Sequence, residues 1–221
     1  MPRQFMLVIT LAGCLLGCRN EPPASNATGT QPTVDSATVE FQPKILAELS
    51  PQQELQKVIA IQAKDALFQK LSSRLMAALQ ADGPAQAINV CKAEAPAFAE
   101  QVKRDLGVNI GRTSFKLRNA TNPPPDWADS LVEDRVKEPA FVSLADGKLG
   151  AFLPIMLQKK CELCHGPREE IAEDVLAALQ TNYPNDQATG FREGDLRGWF
   201  WVEVPADAKP TEVAPVEGNE S

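Results

Sequence analysis

The sequence predicts an α+β protein in which a long N-terminal helix and shorter helices pack on a small, mainly antiparallel sheet. Three observations predict it. Apolar residues recur at every fourth position from 55 to 79, the strand-like runs come after the long helical segments, and two of those runs meet at Asp146-Gly147, a hairpin signal. Strands grouped behind helices, instead of alternating with them, argue against a parallel α/β sheet.

Ser50-Pro51-Gln52-Gln53 supplies an N-cap hydroxyl, a proline at the first helical position and a capping-box glutamine. The helix it opens is expected to run about thirty residues, to Asp82-Gly83-Pro84. Residues 85–92 continue helically, Pro96 marks a fresh helix start and Gly107 a stop. Residues 108–117 read as a strand, Asn122-Pro123-Pro124-Pro125 as a loop, and 127–136 as a short helix. Residues 141–144 and 149–157 are the two strands of the hairpin, 169–180 a further helix, and 198–204 a last, aromatic strand.

The chain has 221 residues, with 22 Lys+Arg against 29 Asp+Glu, a net charge of −7. That balance argues against nucleic acid as a main partner, because nucleic acid requires basic surface to displace counterions. Residues 1–17 have the form of a signal peptide: Arg3 provides a basic start and an apolar run follows, too short to span a bilayer. The run ends twice in Leu-x-Gly-Cys, at Leu11-Ala12-Gly13-Cys14 and at Leu15-Leu16-Gly17-Cys18, and both resemble the bacterial lipobox. Cleavage before Cys18 leaves the fuller apolar region and puts polar Arg19-Asn20-Glu21 after the lipidated residue; Cys14 is the alternative. Residues 18–43, rich in Pro, Ser, Thr and Asn, read as a disordered tether, 44–204 as the folded domain, and 205–221 as a disordered acidic tail. The expected location is the cell envelope or periplasm, lipid-anchored to the membrane.

Cys161-Glu162-Leu163-Cys164-His165 carries the chemistry. Cys-x-x-Cys-His is the c-type haem attachment sequence: two thiols one helical turn apart add to the haem vinyl groups while the adjacent imidazole reaches the iron. Composition alone would produce this pentapeptide about 0.0005 times per chain, and the only histidine occupies it. The candidate cofactor is therefore one covalently attached haem c. A small, nearly all-helical cytochrome c would not contain the strands. A Cys3His zinc site using Cys91 competes, although adjacent Cys and His do not easily bind one tetrahedral ion. So does a Cys161–Cys164 disulfide, which leaves His165 and Cys91 unexplained.

With no second histidine, bis-His ligation within the chain is impossible. The sixth iron position is left to Met76, Met156, Cys91, a Lys or Tyr, or nothing; both methionines read more readily as core. Arg112, Lys116 and Arg118 alternate along the predicted strand, which suits either haem propionates or a solvated face.

Asn89-Val90-Cys91, the run from Gly111 to Asn119, Cys161 to Gly166, Tyr183 to Gly190 and Gly194 to Phe200 occur in the same order in a family of exported c-type haem proteins. The chain resembles that Tll0287-like haem domain family over most of residues 55–204, and departs from it in being aromatic-rich at 199–201. The resemblance implies a PAS-like fold, with His165 and Cys91 as the axial iron ligands. Taken with the lipobox, the single haem motif and the ferric-stabilising pull of a thiolate, the expectation is a membrane-tethered, single-haem protein that transfers electrons at low potential or senses redox state, with a redox partner protein that the sequence does not name. A haem-based gas or redox sensor acting through a partner protein is the alternative. No catalytic constellation exists beyond the haem, since the one histidine is consumed as a ligand.

Overall fold

The computed structural model describes residues 44–209. Residues 1–43 and 210–221, and with them the signal peptide, Cys14, Cys18, the tether and most of the acidic tail, lie outside the described residues.

The first element, α1 (Pro51–Leu106), starts on the capping box its sequence announces. The Ser50 N–H donates to Gln53 Oε1 at 2.9 Å, and the Gln53 N–H to Ser50 Oγ at 3.3 Å. It ends on Gly107 in the left-handed conformation, φ 63°. Between these caps the element is two helical arms joined at Gly83, whose φ of 77° and ψ of 176° are not helical. On one straight helix Arg74 and Glu94 would stand about 30 Å apart. Instead the Arg74 Nε and Nη2 each lie 2.9 Å from a Glu94 carboxylate oxygen, so the arms fold back on each other. Pro96 does not open a new helix: α1 continues through it. Phe98, Ala99 and Val102 pack on the main core just beyond, and that packing offsets the lost backbone hydrogen bond.

Four strands form one antiparallel sheet in the order β1 (Asn109–Thr113), β4 (Leu196–Val204), β3 (Leu149–Met156), β2 (Ala140–Ser143). The hairpin between β2 and β3 turns at Ala145–Gly147, where Asp146 (φ 57°) and Gly147 (φ 70°) take the left-handed conformations that an Asp-Gly turn supplies. β1 is shorter than its sequence suggests. The Ser114 hydroxyl donates to the Arg197 carbonyl at 2.7 Å and accepts from the Lys116 N–H at 3.0 Å, which turns the chain out of the ladder after Thr113. Lys116 and Arg118 therefore stand on a loop, not on a strand face.

The remaining helical pieces are short: a turn at Asp126–Ala128 leading into α2 (Asp129–Glu133), then α3 (Glu162–His165) and α4 (Glu173–Asn182). Each face of the sheet carries a core. On one face Ile59, Ala63, Leu67 and Val102 of α1 pack against Ile110, Leu153, Phe200, Val202 and Val204. On the other, Trp127, Leu131, Val142, Phe152 and Trp199 form a mainly aromatic cluster. The period-2 alternation of β4 sorts its aromatics accordingly: Phe200 faces α1, and Trp199 belongs to the far side. Past Val204 the chain stays attached, with Ala208 against the main core and the Ala206 carbonyl accepting from Gln52 Nε2 at 2.8 Å. Among the described residues no helix is long and apolar enough to cross a membrane.

Candidate functional site

Cys161 closes a 3₁₀ turn (Lys159–Cys161) and Cys164 and His165 lie in α3, so both thiols and the imidazole belong to one continuous helical segment. The residue after the histidine is glycine for a steric reason: a Cβ at Gly166 would lie 2.6 Å from the Glu162 carbonyl, which accepts the Gly166 N–H at 2.8 Å. Neither Cys161 nor Cys164 is part of a disulfide. Among the described residues no three His, Cys, Asp or Glu side chains cluster to hold a metal ion.

Cys161, Cys164 and His165 line a cavity of about 320 Å³. Its walls are mainly apolar: Phe68, Leu71, Leu75 and Leu79 from the first arm of α1, Ala87, Ile88 and Ala95 from the second, Ile155 from β3 and Phe200 from β4. Met76 and Met156 also line it, and Met156 is 45% exposed, so neither belongs to the buried core to which their sequence context pointed. Cys91 lies on the second arm, one helical turn from Ala87 and one from Ala95; its side chain is outside the described residues.

His165 has few degrees of freedom. Its Nδ1 lies 2.7 Å from the Ala188 carbonyl oxygen, which accepts only if Nδ1 carries the proton. Nε2 then keeps its lone pair, and Arg118 Nη1 approaches it at 3.4 Å. Arg197 Nε also stands 3.3 Å from Nδ1. A nitrogen already donating to Ala188 has no lone pair for that guanidinium, whose Nη1 instead bonds Ser114 Oγ at 2.8 Å and the Lys116 carbonyl at 3.2 Å. Burial, and after it the positive charges of Arg118 and Arg197, hold the imidazole well below its ordinary pKa, so it is neutral. A neutral imidazole with Nδ1–H given to a backbone carbonyl is the state in which histidine binds a metal through Nε2.

A loop spanning 186–190 supports this arrangement. Arg118 reaches Asp186 at 3.1 Å and the Ala188 carbonyl at 3.2 Å, and Nη2 also donates to the Cys164 carbonyl. Asp186 Oδ1 accepts the Ala188 N–H at 2.8 Å, which fixes the carbonyl that holds His165. Of the three basic residues singled out in the sequence, Arg112 and Arg118 line the cavity. Lys116 turns away from it, donating to the Thr189 carbonyl at 3.3 Å with its ammonium 5.2 Å from the centre of the Phe191 ring.

Arg197, which no spacing in the sequence marks, stands 3.3 Å from His165 Nδ1 because β4 delivers it there. The Tyr183–Gly190 run supplies Asp186 and the Ala188 carbonyl. The signal for both was their presence in the runs that carry the family resemblance.

The fold and the site define a small α+β domain with a pair of thiols and a neutral imidazole on the wall of an apolar cavity. The chain belongs to the Tll0287-like family, whose model (Tll0287) matches residues 37–205. In fold it is similar to a solved structure described as the crystal structure of the cyanobacterial heme-protein Tll0287. The TM-score is 0.52 and the identity 24%, over 74% of this chain and 100% of that one. No curated protein matches the chain.

Proposed function

We propose that the cavity holds one haem c, joined through thioethers to Cys161 and Cys164 and bound at iron by His165 and Cys91, and that the protein carries electrons at low potential in the cell envelope. The observation that carries this reading is the meeting of two thiols and one neutral imidazole on a single wall of an apolar cavity. The cavity fits such a group in a second respect. Of the large apolar side chains left exposed by the fold, Phe68 (41%), Met156 (45%) and Leu163 (52%) all line it, which is apolar surface suited to a flat hydrophobic ligand. Membership of a family that includes a heme-protein supports the same choice.

When bound, the haem supplies a one-electron couple. The chain's residues would do the rest: Ala188 orients His165, Cys161 and Cys164 would hold the macrocycle, and the apolar side chains of the two arms of α1 would pack around it. Cys91 supplies the negative ligand. A thiolate stabilises ferric over ferrous iron and so lowers the potential. Its place between Ala87 and Ala95 on the helix supports that role. A lipid on Cys18 tethers the domain to a membrane, where it meets a redox partner protein.

The deciding experiment uses full-length protein matured by the haem-attachment machinery and compares ferric absorption and EPR spectra of the wild type with Cys91→Ala. The wild type is expected to show the low-spin signature of a thiolate ligand and the variant to lose it, while Met76→Leu and Met156→Leu retain it. Unchanged spectra in Cys91→Ala would overturn the thiolate, and zinc without iron in the purified protein would overturn the haem.

A further inference from the structure

Arg197 is an unusual residue to find on this wall. It enters the cavity beside His165, yet its hydrogen bonds go to neutral oxygens, the Ser114 hydroxyl at 2.8 Å and the Lys116 carbonyl at 3.2 Å. Among the described residues it forms no ion pair. The neighbouring guanidinium, Arg118, already has Asp186 at 3.1 Å, and that carboxylate is turned to Arg118 and to the Ala188 N–H. Burial, and after it the charges of Arg118 and Arg112, pull the Arg197 pKa down to about 10, still far above neutrality. The guanidinium is thus a permanent cation whose partners are two neutral oxygens and the face of the Phe191 ring, 5.4 Å from its centre, and with no carboxylate paired to it a mostly buried charge is costly unless an anion meets it. Its planar fork suits a carboxylate.

We propose that Arg197 binds a propionate carboxylate of the haem and that its charge raises the haem potential against the pull of the thiolate. This rests on the haem reading above. Two interactions follow from one side chain. The guanidinium meets the propionate through nitrogen atoms not already given to Ser114 and Lys116. Its positive charge, held within hydrogen-bond range of the imidazole ring, disfavours ferric iron more than ferrous iron. The strand that carries it is well fixed: Gly198, the next residue, admits no side chain, because a Cβ would lie 2.3 Å from the Thr113 carbonyl.

The test is the midpoint potential of the full-length holoprotein in wild type, Arg197→Gln and Arg197→Lys, with haem content measured separately as the pyridine haemochrome. Arg197→Gln is expected to lower the potential and to make it vary with pH near neutrality, because the propionate then titrates in a higher range. Arg197→Lys, which keeps the charge, is expected to retain most of the wild-type potential. A haem-loaded Arg197→Gln protein with an unchanged potential overturns the proposal. Absence of haem from the wild type overturns the underlying reading instead. Should Arg197→Gln fail to fold, resonance Raman of the wild type decides. A propionate bending band that shifts in D2O, as for a carboxylate bonded to N–H donors, supports the proposal, and an unshifted band overturns it.

Discussion

A histidine that offers one ring nitrogen to a metal is steadied by giving its other away, and His165 gives its Nδ1–H to the carbonyl of Ala188, as the proposed iron ligation requires. Any residue carries a carbonyl, which is why nothing in the sequence marked that position, whereas Cys161, Cys164 and His165 identify themselves by side chain and spacing. Arg197 escaped for a different reason: 32 residues separate it from His165, and only the pairing of β4 with β1 and β3 closes the gap. The support is concentrated in Asp186, whose carboxylate is 8% exposed and bonds both Arg118 and the Ala188 N–H. Asp186→Asn keeps an oxygen for Ala188 but removes the charge beside a mostly buried guanidinium, which typically costs about 3 kcal/mol. Urea unfolding should show a loss of that order, together with reduced haem loading. A loss under about 0.5 kcal/mol would mean that the Cys164 and Ala188 carbonyls alone satisfy Arg118.

At the level of elements, α1 separates what a local signal specifies from what packing decides. The capping box, the break at Gly83 and the stop at Gly107 are local devices, and all three are where the sequence places them. Pro96 is a local signal that packing overrode. The apolar step of four positions is only partly obeyed. Each step advances about 400° around the helix, so the stripe from 55 to 79 winds through about 240° and cannot face one core along its length. Leu67 is accordingly buried at 1% exposure while Leu55, at the start of the same stripe, is 46% exposed. Leu67→Ala should destabilise the protein by about 2–5 kcal/mol, as cavity-forming core substitutions do. Leu55→Ala should stay within about 0.5 kcal/mol of wild type. Chemical denaturation of the two variants side by side checks this, and equal losses would mean that Leu55 is covered in solution. The aromatic run 199–201 was legible as a strand but not by face: pairing puts Phe200 on the cavity side and Trp199 in the opposite cluster. Two of the three aromatics in the run are thus packed away from the cavity, with Trp201 lying over Gly111, where a Cβ would come within 2.4 Å of its ring.

For the molecule as a whole, the α+β architecture was readable because every long element had a local start or stop, while the closing of the site was not, because it joins loops far apart in the chain. The proposed lipid anchor belongs to this scale. In the proposed attachment the hold on the membrane comes from acyl chains on Cys18, since a net charge of −7 adds little overall attraction to an anionic bilayer. Each buried methylene contributes about 0.8 kcal/mol; a single chain holds a protein only marginally, and two or more hold it stably. Fractionation of cells expressing the full chain is expected to find the wild type and Cys14→Ser in the membrane pellet, labelled by a radioactive fatty acid. Cys18→Ser is expected to lose the label and to remain unprocessed at the longer mass. Should Cys14→Ser lose the label instead, the anchor lies four residues earlier and Cys18 survives in the mature tether as a further thiol. Retention of the label by both single variants would show that neither cysteine alone is the acylated residue, and the lipobox assignment would fall.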